Sequence, residues 1–271
     1  MTVNLSNLVW NRIQDKVIAQ LIKEAIPTVF KQRCMRFKDL YEEWHAVQVQ
    51  EHHEVLPHTI DLLLLPDIRE ILQSYRYVDD ETILSITSRF AHLAEEWRES
   101  CATKLRQLVW KSGEHMAGVP ADVDILSLAS VLFSCSKCKA HHYSDDGNEK
   151  LPLYFPRVLE HTCSRDAASW KPMGNCQWET VVHAMCGDCN DATVPWSCDT
   201  LEFGVWHRRA SSMLRACGKD PLSVTQQQIK RLDMRLYCTP YTQYRPYRRL
   251  FMTWRDTVSQ WRSARCLPLI Q

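Results

Sequence analysis

Apolar residues recur at steps of three and four along much of the first 130 residues, which is the period of one α-helix face. The first such set is Trp10, Ile13, Val17 and Leu21. Pro27 then either kinks this helix or begins the next one, because proline removes a backbone hydrogen bond inside a helix. Beyond it the same spacing is continued by Leu40, Trp44 and Val47.

The strongest helical pattern follows a segment that contains two prolines. Residues 52–72 carry apolar runs interrupted by Pro57 and Pro66, which predicts a loop with short helices. Asp79 or Asp80 then caps a long amphipathic helix, because aspartate at this position accepts a hydrogen bond from a free backbone N–H. The apolar stripe of this helix is Phe90, Leu93, Ala94, Trp97, Cys101, Leu105 and Leu108.

The remaining pattern and the composition complete a mainly α prediction. Residues 113–120 break the long helix, and a short helix is expected from Asp122 to about Val131. The chain of 271 residues has only 7 glycines, so few positions suit the positive φ angles that a turn-rich β-protein needs. We expect a helical linker-type domain over residues 1–120 and an α-rich domain over residues 121–271, with at most short β-hairpins.

Charge and hydropathy exclude several classes of protein. The net charge is +1, so no overall field attracts nucleic acid or a membrane, and no apolar run approaches the ~18 residues of a transmembrane helix. The N-terminal residues lack the basic and then apolar order of a secretion signal. We therefore expect an intracellular monomer, cytoplasmic or nuclear, whose 12 cysteines are reduced and serve as ligands or core residues.

The C-terminal segment is basic and aromatic. Residues 229–271 carry 9 Lys and Arg against 2 Asp and Glu, with tyrosines and tryptophans between them. Such a segment could contact phosphates and stack on bases, which makes a nucleic-acid-binding protein the alternative interpretation. The competing interpretation is an amphipathic helix, capped by Thr253, that packs Trp254, Val258 and Trp261 inward and leaves its arginines in solvent.

The most informative segment is residues 133–163, which holds three cysteines and three histidines. Cys135 and Cys138 form a Cys-x2-Cys knuckle, a spacing that lets two thiolates reach one ion. After 22 further residues come His161 and Cys163. A short helix that begins at Pro156 would place His161 in its last turn and Cys163 just beyond its end. Three thiolates and one imidazole are a natural tetrahedral set for a structural Zn²⁺ ion.

Other interpretations of these cysteines stay open. A redox Cys-x2-Cys pair usually begins a helix after a strand, and two reduced core cysteines with unrelated neighbours are also compatible with the pattern. His141 and His142 are competing ligands, although their closeness to the knuckle favours an exposed loop. A second knuckle, Cys186 and Cys189, has His183 nearby and could form another site with Cys176 or Cys198.

Several blocks of the sequence resemble a large group of F-box-like proteins from mushroom-forming fungi. These blocks are LSLASVLFSCSKC, LYFPRVLEHTC, PWSCDTLEF, MLRACGKDPLSVTQQQIKRLDMRLYC and MTWRDTVSQW, and the opening helices are similar to the linker helices of the group. The resemblance implies a first zinc-finger-like ligand set of Cys135, Cys138, His161 and Cys163. It also implies a link to substrate recruitment by cullin-type ubiquitin ligases.

The chain departs from the pattern of the group at three places. The last block keeps Cys238, but Tyr241 stands where the second cysteine of its knuckle would be, and Gln260 and Trp261 stand where a histidine would follow. No F-box module is evident ahead of the linker helices, so adaptor docking does not follow from the resemblance. The chain also lacks a glycine-rich phosphate loop, a Gly-x-Ser-x-Gly elbow and a His-Glu-x-x-His pair. We therefore expect a non-enzymatic, zinc-stabilised protein-interaction module.

Overall fold

The structure is a computed structural model of the chain. It describes residues 5–51, 55–74, 78–113, 116–138, 152–165, 178, 181–182, 194–233, 235–237, 251–254, 258 and 267–268. By proximity these residues group into two compact units, the first formed by residues 1–98 and 165–195 and the second by residues 99–164 and 196–271. The two domains expected from the sequence stay a prediction, because grouping by proximity does not show which segments fold independently.

Helices dominate the described residues. The α-helices are α1 (Leu5–Glu51), α2 (Thr59–Leu63), α3 (Pro66–Leu72), α4 (Asp80–Ser85), α5 (Phe90–Lys111), α6 (Val205–Ala216) and α7 (Gln226–Arg231). Short 3₁₀ helices cover Ile86–Arg89, Ile125–Ser127, Arg157–Glu160 and Thr162–Arg165. The strands are β1 (Phe133–Cys135), β2 (Leu201–Phe203), β3 (Arg235–Tyr237), β4 (Phe251–Thr253) and β5 (Leu267–Pro268). The mainly α fold with short β-structure is therefore confirmed.

The first unit packs α2, α3 and α4 against α1. The buried face of α1 is formed by residues at helical spacing, Phe30, Cys34, Phe37 and Tyr41. The rings of Phe37 and Tyr41 both lie nearly perpendicular to the Phe90 ring, with centroids 5.5 and 5.3 Å from its centroid. Of the three positions that the sequence pattern singled out beyond Pro27, Leu40 is buried, Trp44 is half-buried and Val47 is 50% exposed.

A buried ion pair lies inside the first unit. Arg165 Nη2 donates to Asp61 Oδ2 over 2.6 Å, and the two side chains are only 7% and 2% exposed. Arg165 Nη1 also donates to the Val194 carbonyl, and its guanidinium lies over the Trp97 ring. Asp61 accepts a further hydrogen bond from the His58 N–H. These contacts satisfy charges that would otherwise be costly to remove from water.

The second unit is built around α6. Strand β1 pairs antiparallel with β2, in the register Phe133–Phe203, Ser134–Glu202 and Cys135–Leu201, and α6 packs against β1. The core of this unit combines α6 residues with neighbours from several segments, among them Leu132, Trp206, Met213, Ile229, Trp254 and Val258. A second sheet has the strand order β4-β3-β5. The two sheets consist of strands two or three residues long.

Three local expectations need correction. Pro27 does not begin a new helix, since α1 runs without interruption from Leu5 to Glu51, and a kink at this position stays a prediction. The buried position near the end of α5 is Val109, whereas Leu108 is half-buried. The helix expected over residues 122–131 is a single 3₁₀ turn, Ile125–Ser127, because the backbone extends from Leu128 toward β1.

The expectation of short helices between residues 52 and 72 is confirmed. The segment around Pro57 and Pro66 forms the short helices α2 and α3. Asp79 is an N-cap as expected, its Oδ1 accepting a hydrogen bond from the Thr82 N–H over 2.8 Å. The helix it caps is the short α4, however, and the long helix α5 begins only at Phe90, after a 3₁₀ turn. Among the described residues, no helix combines the length and apolar character needed to cross a membrane.

Candidate metal centre

The first half of the candidate site is the knuckle that follows β1. Pairing with β2 fixes Cys135, the last residue of β1, opposite Leu201. The chain then turns, and the backbone N–H groups of Lys137 and Cys138 donate hydrogen bonds to the Cys135 sulfur. Amide hydrogen bonds of this kind stabilise a thiolate, which is the form of cysteine that binds a metal.

The second half comes from two consecutive 3₁₀ turns. The first, Arg157–Glu160, follows Pro156 and ends before His161, whose backbone is extended with φ −67° and ψ 120°. Cys163 lies in the next turn, Thr162–Arg165, where the Ser164 N–H donates to the His161 carbonyl over 3.0 Å. The expected short helix is therefore present as a 3₁₀ turn that ends one residue earlier than predicted. The extended backbone at His161 lets it and Cys163 face the same side despite their spacing of two.

The two halves bring four side chains together. One ligand atom from each of Cys135, Cys138, His161 and Cys163 lies within 4.8 Å of the others, so this group could hold a metal ion. The Cys138 Sγ lies 3.3 Å from His161 Nε2 and 3.7 Å from the Cys163 Sγ. Tetrahedral coordination at usual Zn–S and Zn–N lengths needs separations of about 3.8 Å between sulfurs and about 3.6 Å between sulfur and nitrogen.

The electrostatics of the sulfurs differ within the cluster. Burial alone would raise the pKa of the Cys135 thiol, but hydrogen bonds from the Cys138 and Lys137 N–H groups, the Thr200 hydroxyl and the Cys163 thiol outweigh it and lower the pKa. Burial raises the pKa of Cys138 to about 12, with further contributions from Cys163 and Cys135. A bound cation would reverse this repulsion, since it stabilises all the thiolates at once.

The imidazole of His161 is also suited to binding a metal ion. Burial lowers the pKa of His161, because a charged imidazolium is less stable away from water. The ring is therefore neutral at physiological pH, which is the form that offers a nitrogen lone pair to a metal.

The geometry bears on the redox alternative. Cys135 ends a strand, and residues 136–138 are not helical, whereas a redox Cys-x2-Cys pair usually begins a helix. The seven described cysteines are all free thiols, and the 3.7 Å between the Cys138 and Cys163 sulfurs is far longer than the ~2.05 Å of a disulfide bond. The arrangement is therefore closer to a ligand set than to a disulfide pair.

Several residues singled out in the sequence lie outside the described residues. They are His141, His142, Cys176, His183, Cys186, Cys189, Cys238, Tyr241, Gln260 and Trp261. A second metal site at Cys186 and Cys189 stays a prediction. Cys198, which is described and half-buried, is not part of the cluster around Cys135. Within the part of the chain that the structure describes, that cluster is the one Cys, His, Asp and Glu group able to hold a metal.

Two described residues of the C-terminal segment, Trp254 and Val258, distinguish the amphipathic helix from the nucleic-acid-binding segment. Trp254 and Val258 are both helical, and they are buried at 8% and 1% exposure in the core of the second unit. Their burial agrees with the amphipathic helix rather than with tryptophan stacking on nucleic-acid bases.

The sequence patterns did not indicate Thr200, which contacts the knuckle. It lies 62 positions beyond Cys138 and carries no metal-binding group. The signal that could have found it is the strand pairing, because a residue just before β2 lies beside the end of β1.

Comparison of the chain with protein-family models, with curated proteins and with solved structures gives no match.

Proposed function

We propose that this chain is a non-enzymatic protein-interaction module whose second unit is stabilised by a structural Zn²⁺ ion. The observation that carries the proposal is the convergence of Cys135, Cys138, His161 and Cys163, with ligand atoms within 4.8 Å of one another. The ion would join the knuckle that follows β1 to the 3₁₀ turns around His161 and Cys163.

The donor set supports a structural rather than a catalytic role. Four protein ligands complete the tetrahedral shell of zinc, so no position remains for a water molecule or a substrate. Three sulfurs and one nitrogen also favour zinc over magnesium and calcium, which take oxygen ligands. The free energy of metal binding would then contribute to folding, on the order of 10 kcal/mol in isolated zinc fingers.

The metal part of the proposal is tested by removing one ligand. Cys138→Ala should lose one zinc per chain in metal analysis of the purified protein and should unfold at a lower temperature. Cys217→Ala is the matched control, since Cys217 is a buried cysteine of the same unit outside the cluster. It should keep the zinc content of the unaltered protein. Equal zinc contents in Cys138→Ala and the unaltered protein would contradict the proposal.

The interaction part rests on the resemblance to F-box-like proteins of mushroom-forming fungi. By that analogy the chain would present a partner for ubiquitin-dependent turnover. The described surface also exposes large apolar side chains, Trp110 at 60% and Leu232 at 56%, of the kind that interfaces bury.

Affinity purification with and without a proteasome inhibitor tests the interaction part. Subunits of a cullin-type ligase should co-purify, and at least one further protein should accumulate when the proteasome is inhibited. Recovery of the chain without any ligase subunit would remove the link to ubiquitin ligases.

A further inference from the structure

A cavity lies in the second unit beside α7. Its volume is about 340 Å³, at the lower end of the range of ~300–1,000 Å³ for ligand pockets. The inner walls of the cavity are apolar and buried, and they include Leu132, Ile229 and Trp254. The exposed residues of the lining, which we call the mouth, are Lys230, Asp233 and Thr253.

The walls of the cavity are held by backbone hydrogen bonds between distant segments. The Ala129 N–H donates to the Val224 carbonyl over 2.9 Å, which fixes this lining residue against the segment that leads into α7. Leu153 exchanges hydrogen bonds with Phe133 over 2.7 and 2.8 Å, and the next residue, Tyr154, lines the cavity. The cavity is therefore formed before a ligand binds, which lowers the entropic cost of binding.

An exposed apolar side chain accompanies the mouth. Leu232 lies in the chain between Lys230 and Asp233 and is 56% exposed. A small molecule enclosed in the cavity would leave this side chain in water, whereas a protein segment can insert one side chain into the cavity and also cover Leu232. Apolar anchors in pockets supply much of the binding energy of protein interfaces, so these features favour a protein partner.

The charge of this region favours an acidic partner. Lys230 and Arg231 are exposed in the last turn of α7, and residues 229–271 carry 9 Lys and Arg against 2 Asp and Glu. An excess of one sign attracts a partner of opposite sign and accelerates its association. The carboxylate of Asp233 in the mouth disfavours a nucleic acid, because phosphates recur at every nucleotide. A peptide can instead offer backbone N–H groups to that carboxylate.

We infer that this cavity is the docking site of an acidic protein segment that inserts one bulky apolar side chain, a leucine, phenylalanine or tryptophan. The inserted side chain contacts the buried walls formed by Leu132, Ile229 and Trp254. Acidic residues on either side of it pair with Lys230 and Arg231. The inference rests on the interaction part of the proposed function, for which it names the surface and the chemistry of the partner.

Fluorescence anisotropy with labelled peptides tests the inference. The probes are short peptides in which glutamates flank a central leucine, phenylalanine or tryptophan. At least one of them should bind, and replacement of its central residue by alanine should weaken binding about 10-fold or more. The same peptide with lysines in place of the glutamates should not bind. Binding of the acidic peptide should weaken as the salt concentration is raised, because salt screens the charges.

Two substitutions locate the binding surface. Lys230→Glu reverses a charge at the mouth, and Thr253→Trp places a large side chain there. Each should weaken binding of the acidic peptide several-fold or more while the melting temperature stays unchanged. Lys104→Glu, at an exposed position of α5 outside the cavity lining, is the matched control and should bind like the unaltered protein. If Thr253→Trp does not fold, Gln226→Trp replaces it, since Gln226 also lines the cavity.

Several outcomes would overturn the inference. They are failure of all the acidic peptides to bind, equal binding of the alanine peptide, and unchanged binding in both mouth variants. An oligouridine RNA that binds in preference to the peptides, and whose binding the mouth variants weaken, would overturn it in favour of nucleic acid. A protein that contains zinc and binds none of the peptides contradicts this inference alone. A protein that binds the peptides but recovers no ligase subunit retains it and loses only the link to ubiquitin ligases.

Discussion

The sulfurs of Cys138 and Cys163 lie 3.7 Å apart although the residues are 25 positions apart in the chain. No disulfide joins them, and both side chains are half-buried. Two polarisable groups that repel each other as thiolates are held at the separation that a shared tetrahedral ion requires. The closeness is explained if the ion supplies the attraction, and this explanation leads to the first prediction.

Removal of the metal by a strong chelator should destabilise the protein. We expect a loss of several kcal/mol, which corresponds to a decrease in melting temperature of roughly 10 °C or more. Added Zn²⁺ should restore the melting temperature, and added Mg²⁺ should not. Differential scanning fluorimetry measures both steps. The Cys138→Ala protein serves as control, because it should respond to neither treatment. An unaltered protein that melts at one temperature with and without the chelator would count against a structural ion.

The buried pair of Arg165 and Asp61 should be sensitive to the loss of one partner. Arg165→Met leaves the Asp61 carboxylate buried without its cation, which should cost about 3–5 kcal/mol of unfolding free energy. Arg165→Met combined with Asp61→Asn removes both charges and should recover more than half of that loss. Denaturant titrations measure the three proteins. Arg89→Met is the control, since Arg89 pairs with Asp67 at the surface and should cost no more than about 1 kcal/mol. Additive losses in the double variant would contradict the pairing.

The capping box of α7 should contribute a smaller and separate amount. Thr225 Oγ1 accepts a hydrogen bond from the Gln228 N–H over 3.2 Å, and the Gln228 side chain accepts one from the Thr225 N–H over 2.8 Å. Thr225→Ala should cost about 1 kcal/mol in a denaturant titration. Thr225→Ser retains the oxygen and should cost only a fraction of that. A serine variant as unstable as the alanine variant would show that the hydroxyl does not stabilise the helix.

His45 should make the stability depend on pH. Burial lowers the pKa of His45, an effect opposed in part by Glu42, and the ring lies 5.7 Å from that of Tyr41. Because the folded pKa is below the ordinary value of about 6.5, the unfolded chain binds more protons as the pH falls through that value. This contribution is present above about pH 6.5 and is lost in more acidic solution.

Two measurements check the His45 prediction. A titration followed by NMR should give this histidine a pKa below about 6.5. The His45→Gln protein should lose less stability than the unaltered protein between neutral and mildly acidic pH. A ring that titrates at or above its ordinary pKa would contradict the expected direction.

The features that could be predicted from the sequence are those that depend on the spacing of residues within one short segment. The apolar stripe of α5 follows directly from the helical period, and the knuckle and the segment from Pro156 to Cys163 are each only a few residues long. The partners of these segments are not local. Strand β2 is paired with β1 from far along the chain, so the sequence around Cys135 carries no sign of Thr200.

Two other differences have physical causes within the helices. A proline inside a long helix is compatible with its continuation, so Pro27 does not mark the boundary that sequence rules favour. Near the end of α5 the helical period allows either Leu108 or Val109 to be the buried residue. In the structure Val109 is buried and Leu108 is half-buried, so the packing of the helix decides between them.

Because Cys135 pairs with Leu201, the strand that packs beside it is translated after all the ligands of the candidate metal centre. All four cysteine and histidine side chains of the centre emerge before the strand that covers the first of them has been translated. During that interval the Cys135 thiol of the nascent chain lacks the strand that pairs with it. Early capture of an ion would hold that sulfur until β2 arrives.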